Sequence, residues 1–270
     1  WRLNPNIDIS TGKLLRASKY TFHGLVADTF KSNNSFLVGD SAHQMPPFLG
    51  QGLCQGIKDV YNLHWKLDGV LRGKYANKVL ETYSDERISI VKLVTETAIK
   101  NGGVIGTQNK YVALIRDTLL KVARIFPKLL SFVEFYHPWQ IKNGLIDKSL
   151  YPNKANGIVI SQPNLDFKVD NKSFDQYIGY NFALIVFDQN EKLLNDIKAL
   201  ESSKIFEDNI YLINKDSPFN EDSNFIKWKR DNKISAVIIR PDRHVYGCCD
   251  NESMITKVDE LNKKLISELT

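Results

Sequence analysis

Residues 39–59 read Gly-Asp-Ser-Ala-His-Gln-Met-Pro-Pro-Phe-Leu-Gly-Gln-Gly-Leu-Cys-Gln-Gly-Ile-Lys-Asp, and two features in that string could do chemistry. Gly39-Asp40 follows the apolar run Ser35-Phe36-Leu37-Val38, which reads as a buried strand ended by glycine. Open α/β sheets bind ligands at the carboxyl ends of their strands. A glycine there lets the backbone approach a ligand, and the aspartate offers a carboxylate to hydroxyl donors. Eleven residues beyond Asp40, Gln51-Gly52 opens a helical pattern. The first N–H groups of a helix lack intrahelical acceptors and carry about half a positive charge, so an anion or an electron-rich carbonyl is stabilised there. Pro46-Pro47 stiffens the connection, because each ring fixes φ. His43 could move a proton, but in this loop its simpler role is to brace the turn.

The elements that must position these groups follow from periodicity. Residues 20–26 alternate loosely and predict a strand. From Gln51 the period becomes helical, with Leu53, Ile57, Val60, Tyr61, His64, Leu67 and Leu71 on one face and Lys58, Asp59, Asn62 and Lys66 on the other. The apolar face is expected to be the core face, which would make His64 a core residue. A second helix is expected from Val79 to about Lys100. A third is expected over residues 111–126, where Val112, Ile115, Leu119, Val122 and Phe126 step by three and four before Pro127.

Turn formers concentrate between residues 136 and 156, which places a domain boundary near 150 and gives domains 1–150 and 151–270. Beyond it, residues 182–187 read as a buried strand. A helix with Leu193, Ile197 and Leu200 follows, then a strand at 210–213. Strands at 236–239 and 245–248 form a hairpin through Pro241-Asp242-Arg243, and Met254, Val258, Leu261 and Leu265 mark a final helix. This β-α-β-β-β-α series predicts a small sheet with helices on it, an α/β (α+β) fold class.

The 270 residues, 43% apolar and 25% charged, suit a soluble globular protein able to bury a sizeable core. No apolar stretch is long enough to span a bilayer, and no secretory leader is visible. Residues 1–150 hold 20 Lys and Arg against 12 Asp and Glu, yet the cations are scattered singly, which argues against nucleic acid. Cys54, Cys248 and Cys249 have no CxxC spacing, so neither a disulfide framework nor a metal site is expected and a reducing cytoplasm fits. On a strand, Cys248 and Cys249 must point to opposite faces. The chain opens on Trp1, and residues 1–21 read like the middle of a longer protein.

The whole string from Gly39 to Asp59, G-D-S-A-H-x-x-P-P-x-x-G-Q-G-x-x-x-G-I-x-D, resembles the second flavin-binding signature of the class A FAD-dependent aromatic hydroxylases. Tyr20-Thr21-Phe22-His23, Asn62-Leu63-x-Trp65-Lys66-Leu67 and Tyr83-x-x-Glu86-Arg87 fit the same family. So, more loosely, do Ser161-Gln162-Pro163, Phe174-Asp175-x-x-Ile178-Gly179 and Arg240-Pro241-Asp242. The likeness is nearest to the branch of 3-(3-hydroxyphenyl)propionate, phenol and polyketide hydroxylases.

The resemblance implies the end of an FAD-binding Rossmann-like domain followed by a thioredoxin-like C-terminal domain without CxxC. It implies FAD as cofactor, NADH or NADPH as co-substrate, and oxygen inserted into a phenolic substrate, in a cytoplasmic enzyme and with a homodimer as the family's assembly. Cofactor contacts would come from Gly39, Asp40, Pro47, Gly50, Gln51, Gly52, Leu53 and Cys54. Asp40 would take the ribityl hydroxyls, Pro47 would line the flavin ring, and the helix N-terminus would face the ring's N1–C2=O edge. Many relatives carry asparagine where this chain has Cys54, so only backbone contacts are expected from that position. The family's G-x-G-x-x-G for the ADP part of FAD is absent: Gly102-Gly103-Val104-Ile105-Gly106 follows a helix and has the wrong spacing. Two alternatives stay open, a non-catalytic interaction module and a flavin hydroxylase of polycyclic substrates.

Overall fold

The computed structural model describes residues 13, 16, 18–125, 139–164, 168, 171–217, 219 and 222–270. Four two-residue strands come first: β1 (Leu25–Val26), β2 (Lys31–Ser32), β3 (Ser35–Phe36) and β4 (His43–Gln44). β1 pairs antiparallel with β4, and β2 with β3 across a turn in which Asn33 takes a φ of 51°. Asparagine is one of the few residues that visits this left-handed region readily. The strand expected over 20–26 thus shrinks to its last two residues, with Tyr20 and Phe22 exposed. The run 35–38 is not the buried strand expected: Leu37 is 37% exposed, and Phe36 and Val38 are half-buried. Each short strand has one sheet neighbour among the described residues, so its other edge stays open.

Helix α1 (Gly52–Leu71) packs against α2 (Lys78–Ile105). The buried face of α1 is the opposite of the one periodicity selects. Leu53 is 78% exposed, Leu71 82%, and Ile57, Val60, Tyr61 and His64 are exposed as well, so His64 is not a core residue. Buried instead are Gln55, Asp59, Asn62, Leu63, Trp65, Lys66 and Gly69. Helix α2 behaves conventionally, burying Val79, Leu80, Tyr83, Ile90, Val91 and Val94 at helical spacing. It runs one turn past the expected Lys100 and absorbs Gly102 and Gly103, so the glycine-rich run lies inside the helix rather than after it. α3 (Lys110–Ile125) forms as expected, but Val112, Ile115, Leu119 and Val122 are exposed. Phe126 and Pro127 lie outside the described residues.

The second half begins with α4 (Phe174–Ile178) and continues through β5 (Ala183–Val186), α5 (Glu191–Lys198) and β6 (Ile210–Leu212). α6 (Ser223–Asp231), β7 (Ala236–Ile239), β8 (Val245–Cys249) and α7 (Met254–Leu269) complete it. The sheet order is β6-β5-β7-β8, with β5 and β6 parallel and the other pairs antiparallel. Both faces are covered: Leu184, Val186, Ile238 and Cys249 pack with α7, while Ala183, Ile185, Val237 and Cys248 pack with Phe174, Phe219 and Phe225. The two cysteines therefore do point to opposite faces. Helix α6 was not foreseen, because Ser-Asn-Phe-Ile-Lys-Trp-Lys-Arg-Asp carries little apolar periodicity. Its N-terminus is fixed by the Asp222 carboxylate, which accepts the Phe225 N–H at 2.7 Å.

One buried ion network ties the two halves together. The Glu86 carboxylate accepts from Lys66 Nζ (2.9 Å), Asn62 Nδ2 (2.7 Å), Arg240 Nη1 (2.9 Å) and Nη2 (2.7 Å), and the Leu145 N–H (2.9 Å). Asp242 accepts from Arg240 Nε (3.0 Å) and Nη2 (2.7 Å) and from Asn62 Nδ2 (3.1 Å). The side chains of all four charged residues are at most 1% exposed. Burial alone would raise Glu86, but the Arg240 and Lys66 charges overcome it and hold the carboxyl down at about 2. Burial lowers Lys66 to about 8, with Glu86 opposing that fall.

The network makes stability depend on acid. A carboxylate held below its unfolded value contributes stability above that value and loses it as pH falls. For Glu86 the contribution is on the order of 3 kcal/mol, lost as pH drops from the unfolded 4.5 toward 2. Asp242, also held well below 3.8, acts in the same direction. Thermal melts are expected to be nearly flat down to a pH of about 5 and to fall steeply below it. A melting temperature constant to pH 2.5 would contradict the assignment.

Candidate functional site

Gly39–Ser41 forms a single 3₁₀ turn with Gly39 at a φ of 60°. The turn is closed locally by Ser41, whose Oγ accepts the Val38 N–H at 3.1 Å and donates to the Val38 carbonyl at 2.9 Å. It sits against α1 so closely that a Cβ on Gly56 would lie 3.2 Å from the Gly39 Cα. Glycine at both positions is what permits the approach. The Asp40 side chain is exposed and accepts no hydrogen bond from the described residues.

Pro47–Leu49 forms a second 3₁₀ turn, which Gly50 ends in the left-handed conformation at a φ of 61°. Helix α1 then starts without a side-chain cap. Its first backbone bond is Gln55 N–H to the Gln51 carbonyl, which leaves the N–H groups of Gly52, Leu53 and Cys54 without an intrahelical acceptor. Pro47, Gly50, Leu53 and Cys54 are exposed, and Gln51 and Gly52 are half-buried. A ligand reaching this face would meet a free carboxylate at one end and a row of N–H donors with the positive helix end at the other.

Behind the loop lies a second buried cluster. Asp59 Oδ2 accepts the Gly39 N–H at 3.0 Å and stands 2.8 Å from His43 Nε2, while its Oδ1 accepts from Arg87 Nε at 2.7 Å. Burial would raise the Asp59 carboxyl, but the His43 hydrogen bond and the Arg87 charge hold it below the usual range. Arg87 Nη2 also donates to Gln55 Oε1 at 2.7 Å. His43, 2% exposed, therefore sits beneath the loop with its ring turned to Asp59. Its Nδ1 and the Gln55 Nε2 are buried without a hydrogen-bond partner.

Two features escaped the sequence reading. Asp59 and Arg87 were visible only as parts of motifs, with nothing to show that they meet. Asp242-Arg243 forms the expected hairpin turn, and Asp242 also closes the ion network, which its place in a turn does not reveal. On the open side, Tyr20, Phe22 and Phe48 stack edge to face at 5.1 and 6.1 Å, and Phe48 fits because position 102 is glycine. His23, beside this cluster in sequence, is exposed.

Comparisons with known proteins cover the same stretches of the chain. Residues 2–98 match the model of the FAD binding domain family, and residues 157–264 match that of the HcaD C-terminal domain. A 3-(3-hydroxy-phenyl)propionate/3-hydroxycinnamic acid hydroxylase of Mycolicibacterium smegmatis is 33% identical over 187 residues, covering 67% of this chain and 33% of the relative. The protein of the same description from Burkholderia cenocepacia is 30% identical over 269 residues, covering 92% and 49%. The chain thus spans half or less of the length of these relatives. Among solved structures, RebC-10x with bound 7-carboxy-K252c superposes with a TM-score of 0.67 at 20% identity, over 95% of this chain and 49% of that one. The flavin-dependent monooxygenase PieE, in complex with FAD and substrate, superposes with a TM-score of 0.64 at 18% identity, over 92% and 50%. With the GD loop, the helix start and the buried motif residues all in place, the chain carries matches to the FAD binding domain and HcaD C-terminal domain families and is similar to the 3-(3-hydroxy-phenyl)propionate hydroxylases among the class A FAD-dependent aromatic hydroxylases.

Proposed function

We propose that this chain is the flavin-ring and ribityl-binding part of an FAD- and NAD(P)H-dependent monooxygenase that hydroxylates a phenolic substrate such as a hydroxyphenylpropionate. The observation that carries the reading is the pairing of a free, exposed Asp40 carboxylate with the uncapped N-terminus of α1, the Gly39 turn being tied to that helix by Asp59. The donor set fits a flavin: Asp40 would accept hydrogen bonds from ribityl hydroxyls, and the N–H groups of Gly52, Leu53 and Cys54 would face the N1–C2=O edge. That edge gains negative charge on reduction, so the helix end would favour the reduced ring. Pro47 and Gly50 would lie beside the ring, with φ fixed at the proline. When bound, the flavin supplies the redox and oxygen chemistry; the protein orients the substrate and excludes water. His43, buried beneath the loop, would position Asp59 rather than transfer a proton to substrate.

The ADP part of the cofactor would be held by sequence outside these 270 residues, since no strand-linked G-x-G-x-x-G occurs within them. The exposed stripe Leu53, Ile57 and Val60 on α1 is the surface such a part of the enzyme would cover. The division at about residue 150 and a thioredoxin-like second domain belong to the same proposal. The β-α-β-α-β-β-α order with strands 2-1-3-4 supports the latter. A polycyclic substrate is the second reading, supported by RebC-10x with its bound 7-carboxy-K252c.

The direct test is flavin titration by fluorescence quenching with the full-length protein. A hydrogen bond to a charged group contributes about 1.5–3 kcal/mol, so Asp40→Ala is expected to weaken FAD by roughly 10- to 100-fold while the fold persists. Unchanged affinity would remove Asp40 from the site.

A further inference from the structure

A cavity of about 280 Å³ opens where α1, α2 and the β7–β8 turn meet, lined by none of the residues from Gly39 to Cys54. Tyr61, Ile90, Trp139 and Val159 supply apolar wall, and Lys58, Arg87 and Arg243 supply positive charge. Each arginine has an acid of its own: Arg87 Nε donates to Asp59 at 2.7 Å, and Arg243 Nε to Asp175 at 2.5 Å. Asp242 is taken by Arg240 at 2.7 Å. Lys58 has no carboxylate within ion-pair reach among the described residues; its ammonium stands 5.1 Å over the Trp139 ring. Burial, and then the Arg87 charge, lower the Lys58 pKa; the Asp175 and Asp242 carboxylates also line the cavity, each paired with an arginine.

Arg243 adds the second half of the argument. It is 4% exposed, yet its Nη1 has no hydrogen-bond partner. A buried guanidinium N–H without an acceptor is costly. Its backbone also sits at a φ of 67°, a region that a residue with a long side chain rarely adopts. Such strain persists where the surroundings over-determine it, and it clusters at ligand clamps.

We propose that this cavity is a binding site for a single-ring aryl carboxylate, distinct from the flavin site. The ring would lie against Trp139, Tyr61 and Ile90, and the carboxylate would take the free donors of Lys58 and Arg243. The volume admits one ring: 280 Å³ equals the liquid volume of about nine water molecules, more than a single benzoate needs. The mostly apolar wall favours an aryl body over a bare inorganic anion. The proposal does not rest on the flavin reading.

The test is calorimetric titration of the full-length protein with benzoate, benzamide and inorganic phosphate. Benzoate is expected to saturate, with benzamide and phosphate each at least about tenfold weaker, since benzamide lacks the charge for charge-assisted bonds to Lys58 and Arg243 and phosphate lacks the ring that the apolar wall would bury. Lys58→Met, at a half-buried surface position, and Arg243→Gln are each expected to weaken benzoate at least about tenfold with unchanged circular dichroism. Lys58→Met keeps the test decisive should Arg243→Gln fail to fold. Asp40→Ala is expected to leave benzoate affinity alone, and Lys58→Met to leave FAD affinity alone, so each site can fail separately. Equal binding of benzamide or phosphate, unchanged benzoate affinity in Lys58→Met, or no saturation by benzoate overturns the site.

Discussion

Replacing Glu86 with glutamine is expected to destabilise the protein by about 3–5 kcal/mol, the usual consequence of removing one partner from a buried charge network. For a chain of this size that corresponds to a fall in melting temperature on the order of 10 °C. Glutamine keeps nearly the same volume, so a cavity does not explain the loss. What changes is charge: Arg240 keeps Asp242, but Lys66 keeps only the Asn62 amide oxygen at 2.9 Å, in a site its side chain shares with no water-exposed surface. The Leu145 N–H also faces a weaker acceptor. The double variant Glu86→Gln/Lys66→Met is therefore expected to recover most of the loss, because the remaining pair, Arg240 and Asp242, is neutral. Urea unfolding of the single and double variants measures both effects. Losses that simply add would show that Glu86 and Lys66 do not act as a pair, since coupled neighbours are non-additive by roughly 0.5–3 kcal/mol.

That network also explains which parts of the fold were legible in the sequence. The central strand β5, the β7–β8 hairpin and the α7 stripe Met254, Val258, Leu261 and Leu265 all bury the apolar residues their periodicity selects. There the core is made by hydrophobic transfer, which local pattern reports. Helix α1 misleads because its inner face is polar and satisfied by residues far away in sequence. Asn62 and Lys66 meet Glu86 at separations of 24 and 20 residues, and Asn62 meets Asp242 at 180. No window of one helix contains those partners, so Asp59, Asn62 and Lys66 look like a solvent face. Helix α6 was missed for a related reason, its start being set by an Asp222 cap rather than by an apolar stripe. The candidate flavin site was legible as a list of residues, Gly39 through Cys54. Its support was not, because Asp59 and Arg87 act on the loop from behind and lie in separate motifs.

Asp59 is where support and site can be separated experimentally. Its carboxylate gathers three donors at once, the Gly39 N–H, His43 Nε2 and Arg87 Nε, at 3.0, 2.8 and 2.7 Å. Asp59→Ala removes the acceptor of all three donors and leaves Arg87 buried with only the Gln55 oxygens, so about 3–5 kcal/mol of stability is expected to go. Asp59→Asn is the more informative change. The amide keeps one oxygen for Arg87 or for Gly39, but not for both, and its NH₂ group must then face a donor. If the oxygen stays with Arg87, the Gly39 N–H is unpaired and the turn carrying Asp40 loses its tether to α1. FAD affinity measured well below the melting temperature of the variant is then expected to fall about tenfold, the equivalent of one charge-assisted hydrogen bond. This loss would occur although Asp59 touches no atom that the flavin would occupy. Restoring the tether should restore the flavin: a solvent or temperature change that stabilises the fold without re-forming the Gly39 bond should not. A variant that melts early yet keeps FAD within about twofold of the parent would mean that Asp59 serves the core alone, and that the Gly39 turn holds its shape through Ser41 and the Gly56 contact.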